Sequence, residues 1–174
     1  DAQKQTKILR DSKIRILIGD SDDLECFYEK LDSEVSDSIE FWLDPCGNTV
    51  NPIKNRLSHC DFEKIEILDK PITDNVSELA YVMYTSGSTG FPKGVMVTNE
   101  NLLSWLKNMS SLYKFKEGFR SSQTYDLSFD LSVADIFFTF DNSGTLCVPS
   151  KDDELLPTDY IIRENIEYWS SVPT

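Results

Sequence analysis

Between two apolar stretches, Tyr81 to Tyr84 and Val95 to Val97, lies the run Thr85-Ser86-Gly87-Ser88-Thr89-Gly90-Phe91-Pro92-Lys93. Its residue types suit an anion. Gly87 and Gly90 carry no side chain and can adopt positive φ, so their backbone N–H groups are free to turn toward a phosphate. Thr85, Ser86, Ser88 and Thr89 add hydroxyl donors, and Lys93 adds one mobile positive charge behind the stiffening Pro92. Glycine, serine and threonine also crowd into plain loops, so composition alone leaves both readings open. The spacing excludes two common phosphate loops. A P-loop needs lysine directly after its second glycine and then serine or threonine, whereas Phe91 and Pro92 intervene here and Gly94 follows Lys93. The dinucleotide pattern G-x-G-x-x-G does not fit either.

A second group lies at Asp126-Leu127-Ser128-Phe129-Asp130-Leu131-Ser132-Val133-Ala134-Asp135-Ile136-Phe137. Ser132 followed by Asp135 has capping-box character, and Val133, Ile136, Phe137 and Phe140 share one helical face. The spacing therefore predicts a helix from Ser132, with Asp130 at the mouth of a strand-to-helix turn. A carboxylate there either solvates a helix start or, if partly buried, requires a cation.

From Tyr84 to Val95 the chain reads Tyr-Thr-Ser-Gly-Ser-Thr-Gly-Phe-Pro-Lys-Gly-Val. This resembles, without a departure, the signature loop of the adenylate-forming superfamily, which includes acyl-CoA synthetases, luciferases and the adenylation domains of nonribosomal peptide synthetases. The resemblance implies that Thr85, Ser86, Gly87, Ser88, Thr89, Gly90 and Lys93 bind the phosphates of ATP, used with Mg²⁺, and that Thr85 and Lys93 assist catalysis. The segment Phe129 to Asp135 is similar to the one by which amino-acid-activating members hold substrate. That likeness implies that Asp130 pairs with the α-ammonium group and that Leu131 and Ala134 flank the pocket. Acyl- and aryl-activating members commonly place a histidine in this stretch, and none is present here.

The wording Ser-Phe-Asp-Leu-Ser-Val-Ala-Asp, with the ending Tyr-Trp-Ser-Ser-Val-Pro-Thr, is similar to D-alanine–carrier-protein ligases and to some peptide-synthetase modules. The resemblance implies ATP-dependent activation of an amino acid as its adenylate, followed by transfer to a carrier-protein phosphopantetheine thiol. It covers the middle third or so of a family member. The expectation is a fragment of the adenylation domain, a single compact unit inactive alone, without the later adenine- and ribose-binding region and the C-terminal domain. An acyl-CoA or aryl-acid synthetase, and a noncatalytic nucleotide-binding module, are the alternatives.

The elements that must position these residues follow from the pattern. Asp1 to Lys13 reads as part of an amphipathic helix, Ile14 to Gly19 as a strand, and the acidic turn from Asp20 as a helix start leading into Leu24, Phe27, Tyr28 and Leu31. Ile39 to Leu43 and Phe62 to Leu68 read as strands. Thr98-Asn99 precedes a helix whose stripe, Leu102, Trp105, Leu106, Met109 and Leu112, is read as core. Ser122 to Tyr125, Thr145 to Pro149 and Tyr168 to Val172 read as strands, and Asp159 to Asn165 as a short helix. Alternation of this kind predicts an α/β fold, a mostly parallel sheet flanked by helices, with ligands at the carboxyl ends of strands. By the resemblance, this is part of the large N-terminal domain of an adenylate-forming enzyme.

The chain has 174 residues and a formal charge of −13, which opposes binding to nucleic acid or an anionic membrane. No apolar run matches a membrane span, and no signal or transit peptide is recognisable. The four cysteines, Cys26, Cys46, Cys60 and Cys147, are scattered and only His59 accompanies them. That pattern predicts reduced thiols in a cytoplasmic protein and no metal site of their own.

Overall fold

A computed structural model describes residues 2–45, 56–58, 78–87 and 90–172. The predicted strand Phe62 to Leu68, His59, Cys46, Cys60, Ser88 and Thr89 lie outside the described residues. Where the sequence predicts one compact unit, the chain divides into two: Asp1–Thr73 with Tyr84–Gly94, and Asp74–Met83 with Val95–Thr174. The physical reason is that each builds its own core.

In the first unit, helix α1 (Ala2–Ser12) leads into strand β1 (Ile16–Ile18), helices α2 (Ser21–Lys30) and α3 (Ser33–Ser38), and strands β2 (Phe41–Asp44) and β3 (Arg56–Ser58). The sheet runs β1-β2-β3, parallel throughout, with Ile16 opposite Phe41 and Trp42 opposite Arg56. The acidic turn is the helix start that the sequence predicts: the Asp20 carboxylate accepts from the Asp23 amide at 2.9 Å. Asp32 does the same for α3, accepting from the Val35 amide at 3.0 Å, and also pairs with Arg10 at 2.7 Å. Leu9, Leu24, Val35, Ile39 and Trp42 form the buried core, with the Tyr28 ring edge-on to Trp42 at 5.3 Å.

Strands β4 (Leu79–Ser86) and β5 (Pro92–Thr98) pair with each other. Both are longer than the apolar stretches that suggest them, because the hydroxyl and lysine residues at their ends remain extended.

The second unit contains helix α4 (Asn99–Leu112), strand β6 (Arg120–Ser122), helix α5 (Asp130–Asp141), strand β7 (Thr145–Cys147) and helices α6 (Lys151–Leu155) and α7 (Pro157–Glu164). β6 and β7 are parallel, Ser121 opposite Leu146, with α5 as their crossover. Phe119 and Phe138 are fully buried, and Tyr113, Phe115 and Tyr168 gather round Phe138 at 5.7–6.1 Å between ring centres. A Cβ on Gly144 would come within 2.5 Å of the Phe119 ring, so only glycine fits where the chain leaves α5 for β7. The predicted last strand reduces to one bridge, Tyr168 to Ser121. On α4, Leu106 is buried as predicted, but Leu112 is exposed, since the helix ends there.

Candidate functional site

Helix α5 differs from its sequence pattern in two ways that matter to the site. It begins at Asp130 rather than Ser132, with Phe129 as an N-cap that makes no side-chain bond. The capping box does not form, because Ser132 turns its hydroxyl back to the Phe129 carbonyl at 2.6 Å. The buried face is Ser132, Asp135, Phe138 and Thr139, while Phe137 and Phe140 are exposed. Asp130 therefore sits in the first helical turn, on the face turned from that core, and is itself exposed. The partial burial considered for it is not found. Water shares in stabilising its charge, so the demand for a paired cation is weaker than burial would make it.

That outward face of α5 forms one wall of a cavity of about 280 Å³, to which Asp130, Leu131, Val133 and Ala134 contribute. The three residues that the sequence nominates for substrate thus come together. Tyr81 of β4 and Val97 of β5 face them, and α4 adds Asn101, Leu102 and Trp105. Burial pushes the Tyr81 hydroxyl pKa up, and the nearby Asp130 charge pushes it further the same way. Tyr81, Asn101 and Trp105 were not legible as cavity residues in the sequence. Trp105 falls on the apolar stripe of α4, and it does touch the core, edge-on to Phe138 at 6.3 Å. Its second contact, with the cavity, is signalled only by Asn101 one helical turn before it.

The Asn101 amide is held in place by the start of its own helix. Its oxygen accepts from the Thr98 amide at 3.2 Å and the Thr98 hydroxyl at 2.9 Å, while its backbone N–H donates to the Thr98 hydroxyl at 3.2 Å. This capping box forms where Thr98-Asn99 predicts a helix start.

The hydroxyl and glycine run belongs to the first unit, and it closes on itself. The Gly87 amide donates to the Phe91 carbonyl at 3.1 Å, and the Gly90 amide donates to the Gly87 carbonyl at 2.9 Å. Both amides, which the sequence nominates for an anion, thus donate within the turn. The glycines are needed for the turn itself, since a Cβ on Gly87 would lie 2.3 Å from the Phe91 carbonyl and Gly90 has φ of +78°. What the turn offers outward is side chains. Thr85, Ser86 and Lys93 are exposed, and the Lys93 stem packs over Gly87. Two hydroxyls and an ammonium, with no carboxylate within the run, fit a polyphosphate. The base of the loop is fastened to α1: the Tyr84 hydroxyl donates to Asp11 at 2.6 Å, and the Lys7 ammonium sits 3.2 Å over the Phe91 ring.

One further titratable group stands out in the second unit. Asp135 is only 3 % exposed, one of its carboxylate oxygens has no hydrogen-bond partner, and burial raises its pKa to about 6 despite the Thr124 amide. Among the described residues no group of three or more histidine, cysteine or acidic side chains could hold a metal, and no helix is long and apolar enough to cross a membrane. Cys26 and Cys147 are free thiols.

Parallel α/β units, an acid on a small cavity wall and a closed hydroxyl-glycine turn define the class: the chain belongs to the AMP-binding enzyme family, whose model matches residues 1–174. Its relatives sharpen this. It is 39 % identical over 100 residues, 56 % of this chain, to an L-proline–L-prolyl-carrier protein ligase of Pseudomonas fluorescens. It is 28 % identical over 153 residues, 78 % of this chain, to gramicidin S synthase 2 of Brevibacillus brevis. The matches span 20 % of the first protein and 3 % of the second.

Among solved structures, the Vibrio cholerae adenylation domain AlmE, in complex with glycyl-adenosine-5'-phosphate, matches with a TM-score of 0.73 at 24 % identity, over 97 % of this chain and 33 % of that one. IdnL7 matches with a TM-score of 0.75 at 24 % identity, over 99 % and 33 %. These likenesses are of fold, and they agree with the α/β expectation.

Proposed function

We propose that the protein carrying this chain activates an amino acid with ATP, releasing pyrophosphate, and passes the acyl group from the adenylate to the phosphopantetheine thiol of a carrier protein. The observation that carries the reading is the convergence of Asp130, Leu131 and Ala134 on one small cavity, in a chain of the AMP-binding family. The relatives named as a carrier-protein ligase and a peptide synthase support it.

In this reading Asp130 accepts hydrogen bonds from the substrate ammonium and so fixes the amino acid by its charged end. The substrate carboxylate is then held for attack on the α-phosphorus, a step that depends on alignment more than on covalent help. Thr85, Ser86, Ser88, Thr89 and Lys93 hold the phosphates and offset the charge that gathers on the departing pyrophosphate. Mg²⁺, bound with the nucleotide, supplies further charge neutralisation. The scattered thiols favour a reducing, cytoplasmic site of action.

Amino-acid-dependent ATP–pyrophosphate exchange by the intact protein tests the proposal. Asp130→Ala is expected to raise KM for the amino acid about tenfold to a hundredfold, the range for a charge-assisted hydrogen bond, with KM for ATP little changed. An unchanged KM, or activation of acyl or aryl acids in place of amino acids, would mean that the acid does not clasp an ammonium.

A further inference from the structure

We propose that Lys7 and Asp11 of α1 are positioning residues for ATP: through Phe91 and Tyr84 they hold the two ends of the hydroxyl and glycine turn, and so set where its phosphate-binding side chains stand. The inference rests on the reading that this turn holds the phosphates. It adds what keeps the turn in place, from an element that supplies none of its residues.

The turn's own bonds, Gly87 to Phe91 and Gly90 to Gly87, fix its internal shape. Both begin and end inside the turn, so they do not fix where the exposed Thr85, Ser86 and Lys93 stand. Side-chain contacts to α1 supply that placement at both ends. At the entry, one residue before Thr85, the Tyr84 hydroxyl donates to the Asp11 carboxylate at 2.6 Å. At the exit, one residue after Gly90, the Lys7 ammonium lies 3.2 Å from the centre of the Phe91 ring. Phe91 is 55 % exposed, so burial does not hold that ring and the cation does.

Lys7 and Asp11 are four residues apart and share one face of α1. The helix is itself fixed by Leu9, which is buried in the core with Leu24, Val35, Ile39 and Trp42. Contacts therefore run from the core of the first unit, through one helix face, to both ends of the turn.

The sign of the charge argues that the role of Asp11 is positional. By charge alone, an acid beside a loop that receives phosphates opposes ATP. Its use lies in the acceptor it gives Tyr84. That bond is the main cause of the raised Tyr84 pKa, so the phenol keeps its proton and donates at neutral pH. A residue acting by charge would improve ATP binding when neutralised, whereas a positioning residue impairs it when the acceptor is lost.

The test is ATP–pyrophosphate exchange by the intact protein, with KM read separately for ATP and for the amino acid. Asp11→Ala and Tyr84→Phe are each expected to raise KM for ATP about fivefold and leave KM for the amino acid unmoved, with the double variant no worse than either. Asp11→Asn keeps an acceptor oxygen and should stay within about twofold of wild type. Lys7→Met and Phe91→Leu should each raise KM for ATP about threefold, again without adding, and Lys7→Arg should restore it.

A loss of stability alone would lower the rate and the denaturation midpoint without separating the two KM values. A KM for ATP that is unchanged or lower in Asp11→Ala, or that rises together with KM for the amino acid, overturns the inference and leaves amino acid activation standing. The absence of amino-acid-dependent exchange by the wild-type protein overturns that activation and the inference with it.

Discussion

Asp130 and Asp135 lie one and a half turns apart on α5, and their surroundings give them opposite characters. Asp130 is exposed on the cavity wall, and its charge is felt by Tyr81. Asp135 faces the core, and burial raises its pKa from 3.8 to about 6. Between these values the folded chain retains a proton that the unfolded chain has lost, so stability is fully present below about pH 4 and declines as pH rises through about 6. The loss is on the order of 3 kcal/mol, from about 1.4 kcal/mol for each pKa unit. Asp135→Asn removes the ionisation and is expected to flatten that decline, making the variant the more stable form at neutral pH. Urea denaturation at pH 4 and pH 7 checks this, and an equal decline in both proteins would show that another group is responsible.

At the same scale, the sequence misleads in an instructive way. Ser132 and Asp135 have the spacing of a capping box but are buried side by side in the helix face, while Phe137 and Phe140, which look like core, are exposed. The apolar pattern of this helix does not mark its inward side, because small polar residues bond within the helix there, as the Thr139 hydroxyl does to the Asp135 carbonyl at 2.5 Å.

Among the elements, those with side-chain caps were the most legible. Asp20 and Thr98 start α2 and α4 where their types and spacing predict, since a cap is a local bond that needs no tertiary partner. Helix α3 escaped notice: its six residues carry little periodicity, and its stability comes from Asp32 and the buried Val35. The glycine turn was legible as a special loop but not in its bonding, because the partners of its amides are carbonyls that any residue would supply. Thr98→Ala is expected to destabilise the second unit by about 1 kcal/mol. Chemical denaturation measures that loss, and an unchanged midpoint would mean that water replaces the cap without penalty.

For the molecule as a whole, the sequence yields the parallel α/β character but not the division into two units, each with its own core. That division depends on which side chains meet at long range, which periodicity does not encode. The charge of −13 also acts on the whole chain. Self-repulsion among excess carboxylates opposes the compact state and is screened by salt, whose Debye length falls from about 30 Å at 0.01 M to about 8 Å at 0.15 M. The melting temperature is therefore expected to rise over that range. A fall would show that surface pairs such as Arg15–Glu40, at 2.6 Å, outweigh the repulsion.

Asn101 ties two properties together. One amide both anchors the first turn of α4 and borders the cavity, so a replacement that retunes ligand choice at this position also frays the helix on which Trp105 is mounted. Diversification of this wall should accordingly spare position 101 and run through its neighbours, and any lineage that does exchange the asparagine would keep the Thr98 half of the cap and need another side-chain acceptor at position 101 for the Thr98 amide.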